Sequence, residues 1–478
     1  RTPSSGRDAS WLVGADLAAV ALAFIGQIML THALLTEHYG WMVLAIDLYA
    51  SLFLVIDLGL PTLLARDGTR APSLVPAAVW RTYRWQALAA LPFVFLALVA
   101  RPEAWLNVEA PATLLLLAAL IALVHVASYA PRSGLRVLGE ARLEALTKVA
   151  ERGVTVVAYG VLVWQGSTSA TAFTAAFLGG AVTGWALALW WLLRVAPPGP
   201  GRVDWGQLGE AWVSPRALMM SALPFAITLG ILPYVIRIEK FMVAASGDAT
   251  LGAVFHVAQL AWLAGLVVPA AIRSALLPVL GAARDDPTRH QREMNQATDL
   301  CFGLLPYGLF GGYLIMTVFA PLAFPSSYLD GTYGASAVDV FTVLLAGWAL
   351  TLLATPTYTS LMAGPRPWRF TLFIVLVLLA AVLFGYVLVM QGPTDPGQKL
   401  FAAAVASSLS AGVLLILSWH MSEGWALVQE RQDDWALALL GTTLVVVGLV
   451  SGTAWWVLGL PLFLFTPRGW QAVRSTLD

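Results

Sequence analysis

The sequence holds a single cysteine, Cys301, in 478 residues. One thiol excludes an intrachain disulfide and a thiolate metal cluster, and its apolar neighbours read it as an inert packed side chain. Charge is scarce as well: Asp, Glu, Lys and Arg make up 11% of the chain, against roughly a quarter in an average soluble protein. Basic and acidic residues balance to a net charge of zero, and no basic domain or aromatic-interleaved basic patch occurs, so nucleic acid is excluded as a partner. There is no long polar loop, no glycine-rich phosphate cradle, no Ser/His/Asp set and no Cys/His metal pattern. A separate soluble domain, ATP hydrolysis, a metal centre and a cofactor are therefore not expected, and the chain does not read as an enzyme.

What the chain does have is apolar sequence. Hydrophobic residues make up 59% of it, in blocks of about 20 or more, the length that crosses a hydrocarbon core about 30 Å thick. The expected fold class is an all-α polytopic membrane protein with about 14 transmembrane helices, at 11–35, 41–65, 86–100, 111–131, 144–165, 170–193, 217–245, 249–281, 294–320, 335–363, 370–391, 399–420, 435–450 and 453–467. The last two also read as one long tilted helix, because only Ser451-Gly452-Thr453 separates them. Charge asymmetry favours the even count. With the N-terminus inside, the cytoplasmic segments collect nearly all of the basic residues, from Arg66 and Arg132 to Arg369, Arg431 and Arg468, leaving Arg101 and Lys399 outside. Both termini are then cytoplasmic, and the membrane is the cytoplasmic (inner) one.

The organisation follows. Residues 1–10 read as a trimmed cytoplasmic tail, 11–194 as an N-terminal lobe of six spans, and 195–216 as a cytoplasmic linker opened by Pro197-Pro198-Gly199-Pro200-Gly201. Residues 217–430 form a second lobe of six spans, 435–467 an appended pair, and 468–478 a tail. Within the linker, Trp205, Leu208 and Trp212 alternate with polar residues, the pattern of a short amphipathic helix on the membrane surface.

Ionisable groups inside spans are the informative residues, since each costs about 2.5–3.5 kcal/mol at a helix centre and faces a bundle interior or a watery cavity. Spans seven and eight turn near Gly247, which sets Arg237 and Lys240 at the depth of His256 and Gln259. Arg237 and Lys240 are three apart on one helical face, where like charges repel unless an anion or carboxylate lies between them. Either an anionic ligand sits there, or Lys240 snorkels outward while Arg237 pairs with a structural acid. Arg273 lies deeper, roughly 12 Å from the inner end of its span, as a cavity cation or half of an ion pair. Asp16, Asp47 and Asp57 in the first two spans supply negative partners: Asp47 for Arg237 or Lys240 as an outer gate, Asp16 or Asp57 for Arg273 as an inner one. Asp57 also reads as a local cap within Asp57-Leu58-Gly59. His125 and His256 read first as hydrogen-bonded structural residues. Glu151, Arg152, Asp299 and Asp339 receive no functional role.

Two stretches carry a family resemblance. One runs from Tyr39-Gly40 through Ile56-Asp57-Leu58-Gly59-Leu60 to Arg66, the other from Arg237-Ile238-Glu239-Lys240-Phe241-Met242 through Gly247 and Leu251-Gly252 to Pro278. They resemble the polysaccharide and oligosaccharidyl-lipid flippases of the multidrug/oligosaccharidyl-lipid/polysaccharide (MOP) exporter superfamily, with Glu239, Lys240 and Phe255 where that family commonly has Asp, Arg and Tyr. The resemblance implies two six-helix lobes around a central cavity with two appended C-terminal helices. It further implies alternating-access transfer of a polyprenyl-diphosphate-linked oligosaccharide to the outer leaflet. Arg273, Arg237 and Lys240 would then meet the diphosphate, with Glu239, His256 and Gln259 as polar cavity partners. The expected partners are that lipid-linked substrate, membrane lipids and a coupling ion, H+ or Na+, with the protein acting as a monomer. The competing expectations are a cation-coupled multidrug or small-solute antiporter, a membrane-embedded glycosyltransferase or polymerase, which the short outer loops disfavour, and a structural scaffold.

Overall fold

In a bilayer each backbone N–H and C=O has to be satisfied within its own segment or barrel, so apolar blocks of this length close into helices. The computed structural model describes residues 5–199, 203–283, 286–364, 366–422 and 424–464. Of the described residues 87% are helical, and none lies in a strand.

Helix α1 (Ser5–Ala33) is followed by α2 (Thr36–Phe53), which runs through a 3-10 turn, Leu54–Asp57, into the short α3 (Leu60–Asp67), so the second span is a broken one. Then come α4 (Val75–Ala100), α5 (Ala112–Val137), α6 (Ala141–Trp164) and α7 (Ala170–Val195). After the linker, α8 (Pro215–Ser246) precedes an eighth span that is broken into α9 (Ala249–Gly265) and α10 (Val267–Ala282). Four further spans are α11 (Pro287–Ala323), α12 (Ala337–Ala363), α13 (Pro367–Gly385), extended by a π turn at Tyr386–Met390, and α14 (Pro396–Met421). A short α15 (Trp425–Gln429) leads to α16 (Gln432–Ser451) and α17 (Trp455–Leu464).

Each expected span falls on one of these helices or helix pairs. Eleven are long and apolar enough to cross a membrane outright; the other three, on α1, α6 and α17, fall short for visible reasons. In α1 the side chains are described without a break only from Leu17, α6 carries Arg142, Glu144, Lys148, Glu151 and Arg152 in its first half, and α17 is described over ten residues. The last apolar stretch is two helices. Gly452 turns the chain with φ 63°, Gly448 lies on the backbone of Trp456 and Gly459 on that of Gly441, so α16 and α17 run antiparallel. Arg431 fastens this pair to α11, bonding both Asp299 and Asp434 beneath the Phe302 ring, while Trp435 packs edge-on against Phe302 and Trp419.

The chain divides by contact into residues 1–234 with 248–253 and residues 235–247 with 254–478. In the first unit α5 packs against α2, α3, α4 and α7, and α6 against α1 and α7. In the second, α12 packs against α10, α11, α14 and α16 and is the most enclosed of the candidate spans. The linker differs from its expected surface helix. Gly206 and Gly209, poor helix formers, leave two 3-10 turns, Trp205–Leu208 and Glu210–Trp212. Leu208 and Trp212 are fully buried in one core with Leu60, Leu64 and Leu74. Arg81 donates to the Trp212 carbonyl at 2.6 Å, and the Trp212 indole donates to Asp67 at 3.2 Å.

Two glycines of the first motif stretch, Gly40 and Gly59, sit where helices approach closely. Gly59 has φ +66°, and a Cβ there would stand 2.6 Å from Ala226 N and 2.7 Å from Ala222 O on α8. At Gly40 a Cβ would stand 2.1 Å from the Ala249 carbonyl at the start of α9. Gly139 has φ +76° with nothing within 4 Å of such a Cβ. Gly139→Ala is expected to cost only left-handed strain, about 1 kcal/mol, while Gly59→Ala adds a backbone clash and costs about 2 kcal/mol or more. Unfolding of the purified protein in detergent checks this, and equal losses for the two variants would refute the close approach.

Candidate functional site

The C-terminal half of α8 carries Arg237, Glu239 and Lys240 beside α9, which carries His256 and Gln259. The hairpin between them brings side chains sixteen residues apart into contact: Lys240 Nζ lies 3.1 Å from His256 Nδ1. An ammonium is donor-only, so Nδ1 accepts and the imidazole is neutral with its proton on Nε2. Lys240 is 1% exposed. Its ammonium is therefore buried inside its own unit and oriented by an imidazole one helix away. Gln259 Nε2 donates to the Ile236 carbonyl at 2.6 Å. Glu239 is buried against the Ser410 hydroxyl of α14. Among the described residues Glu239 Oε1 and Gln259 Oε1 are buried with no hydrogen-bond partner.

Arg273 sits in the middle of α10, half-buried, with its guanidinium beside the Tyr358 hydroxyl of α12. Among the described residues it has no carboxylate partner. Arg237 is half-buried on α8. The cations Arg237, Lys240 and Arg273 all belong to the second unit, and the acids expected as their gates belong to the first. Asp47 is half-buried on α2. Asp57 is 2% exposed, accepts the Gly59 N–H and stands 3.5 Å from Gln86 Nε2, so the local cap is formed. Gln86 Oε1 and Thr82 Oγ1, one turn apart on α4, are buried without partners among the described residues. The side chain of Asp16 lies outside the described residues. Away from the spans, the exposed Asp330 accepts from the hydroxyl and the N–H of Thr332, which hold its carboxyl below the usual range and brace the loop.

One polar cluster has no counterpart in the sequence reading. Glu151 on α6 accepts from Arg132 Nη2 at 2.7 Å and lies 3.0 Å from His125 Nε2, both on α5. One turn nearer the helix ends, Arg136 makes a bidentate pair with Glu144, which also lies 3.8 Å from Lys148. The signal was helical spacing: His125, Arg132 and Arg136 share one face of α5, Glu144, Lys148 and Glu151 share one face of α6, and the hairpin through Gly139 brings these faces together. α7 closes over this ladder, with Gly184 against Glu151 and Gly180 against Thr155. Glu151→Gln or Arg132→Met alone is expected to cost about 3 kcal/mol, because each strands a buried charge, while the double variant costs less than the sum. A double-mutant cycle on unfolding in detergent measures this, and strict additivity would mean that the pair is not coupled.

The geometry is that of a helical protein with many spans long and apolar enough to cross a membrane, and solved structures agree on the fold. The chain is similar to a multidrug resistance MATE family transporter of the MOP superfamily in its inward-facing conformation, at 15% identity and TM-score 0.62, covering 85% of this chain and 95% of that one. It is similar to an outward-facing one at 14% identity and TM-score 0.59, covering 87% and 96%. A MOP superfamily transporter from Pyrococcus furiosus, whose reversed binding-pocket polarity suggests a different function, matches at 16% identity and TM-score 0.57 over 87% and 95%. These likenesses show the fold. The family model described as polysaccharide biosynthesis protein matches residues 5–283, and the chain belongs to that family. No curated protein matches it in sequence.

Proposed function

We propose that the chain is a flippase that moves a polyprenyl-diphosphate-linked oligosaccharide from the cytoplasmic to the outer leaflet by alternating access, supplying cell-surface polysaccharide or glycan assembly. The observation that carries this reading is Arg273. A guanidinium in mid-span is costly, and its partner here is a neutral phenol, so its positive charge remains available to a ligand. A diphosphate leaving water is the complement of such a group, because guanidinium binds phosphate in a bidentate, charge-assisted way. Arg237 supplies a second cation nearer the outer side, with Lys240 and His256 behind it. Membership of a polysaccharide biosynthesis family supports a glycan-bearing substrate. The P. furiosus transporter of reversed pocket polarity supports the idea that one fold serves ligands of either charge.

Translocation breaks no bond, so the protein acts without catalytic residues or a cofactor. The two lobes, 11–194 and 217–430, form a complete pathway in one chain and work as a monomer, with 435–467 appended. The buried acceptors Glu239 Oε1 and Gln259 Oε1 support coupling to a proton or sodium ion. Both termini face the cytoplasm across the inner membrane.

In proteoliposomes, wild type is expected to transfer a labelled diphosphate-linked glycolipid between leaflets. Arg273→Ala should slow that transfer at least about tenfold, the worth of one lost charge-assisted contact. Wild type that ignores varied glycolipids but exports cationic dyes down an ion gradient would replace this reading with a multidrug antiporter. Orientation is open to a separate check, because Cys301 is fully buried and leaves a silent background. With a membrane-impermeant maleimide on intact cells, exposed Glu109→Cys should react and Arg216→Cys should react only after permeabilisation; the reverse pattern would invert the topology.

A further inference from the structure

A cleft of about 630 Å³ opens in the first unit between the N-terminal half of α4 and the linker, lined by Trp80, Arg81, Arg84, Trp85, Leu88 and Trp205 among others. No acidic side chain is among its lining residues. Arg81 is held in place: one of its N–H groups donates to the Trp212 carbonyl at 2.6 Å, and its guanidinium lies 4.4 Å from the centre of the Trp205 ring. Its other donors remain for a ligand, since a guanidinium has five. Arg84, three residues on and therefore on the same face, is exposed and makes no hydrogen bond or ion pair among the described residues. Two cations on one face with no acid between them are mutually repulsive until an anion enters.

The cleft continues into apolar surface. Starting at Arg84, a single stripe of α4 runs through Leu88, Leu91, Phe95 and Leu98 at helical spacing, 59%, 71%, 69% and 69% exposed. Trp80, 49% exposed, stands at the charged end, as tryptophan does at the boundary between headgroups and acyl chains. A doubly basic, aromatic-lined recess at the foot of an exposed apolar stripe is complementary to one kind of molecule, a lipid with an anionic phosphate head. From these features we infer that the α4–linker cleft binds the phosphate headgroup of a membrane lipid, with Arg84 and Arg81 on the phosphate and a chain along Leu88, Leu91 and Phe95. That chemistry is shared by an anionic phospholipid and by a polyprenyl-diphosphate carrier. The site is separate from Arg273 and the Lys240–His256 pair, and its occupancy does not depend on which substrate the protein transports.

The test is binding, read by native mass spectrometry of the full chain released from detergent, with dioctanoyl phosphatidic acid as probe and dioctanoylglycerol as the uncharged control. Wild type should bind the phosphatidic acid well above the diacylglycerol. Arg84→Gln, an exposed change that leaves Arg81 and its Trp212 contact alone, should weaken binding about tenfold, and Arg84→Lys should retain most of it. Competition identifies the source. A short-chain polyprenyl diphosphate that displaces the probe more tightly than phosphatidylglycerol assigns the cleft to the carrier lipid, and the opposite order assigns it to bulk phospholipid. Equal binding by wild type and Arg84→Gln overturns the proposal, as does inorganic phosphate competing as well as either lipid.

Discussion

A charge inside a span has to be answered by something within the protein, and what answers it decides what it can do. Arg132 and Arg431 are each met by carboxylates, Glu151 in one case and Asp299 with Asp434 in the other. Such groups are neutralised where they stand, and breaking them strands the surviving partner in low dielectric. Asp57 is met instead by a backbone N–H and an amide, and Arg273 by a phenol. Hydrogen bonds of this kind orient a charge without cancelling it, which leaves the field of the ion directed at whatever enters beside it. Two populations of intramembrane charge follow. One is structural and self-contained, the other is poised.

This distinction explains how much was legible in the sequence. Span number and span order came through, because bilayer thickness fixes block length; the break in the second span at Leu54–Asp57 was not read from the sequence, although Asp57-Leu58-Gly59 lies there. The resemblance to the flippase family was legible too, and the match over residues 5–283 bears it out. What did not come through is pairing between helices. The Lys240–His256 contact needed α8 to be set beside α9, and Glu151 received no role until α5 was set beside α6. Both clusters lay in helical spacing, one face of α5 against one face of α6 and sixteen residues across the α8–α9 turn. Spacing alone, however, does not tell which face of a helix turns to which neighbour. The linker failed differently: its hydrophobic pattern was read correctly as amphipathic, but two glycines deny it a helix and a buried Trp212 turns it into part of the core.

The residues that carry the family resemblance have a plain physical job. Gly40 and Gly59 are the positions at which a Cβ would collide with the backbone of α9 and α8, and Leu58 and Gly59 take left-handed φ values that let the second span break there. Tyr39 is fully buried and donates to Gln27. Arg66 pairs with its neighbour Asp67 and lies over Phe225. Each of these contacts stays within the first unit, and each concerns how helices approach one another.

It follows that such motifs report a way of packing and are silent about cargo. A fold held by close backbone approach tolerates wide change in the groups that face a solute, because those groups lie on other helical faces and contribute little to the contacts that define the scaffold. Arg273 and Tyr358 illustrate the point, since neither belongs to the Tyr-Gly or Asp-Leu-Gly-Leu patterns by which the chain resembles its family. The polarity of the spans' interior is therefore the variable on which substrate class turns. In this chain the half-buried Arg273, in the middle of α10, is one such group.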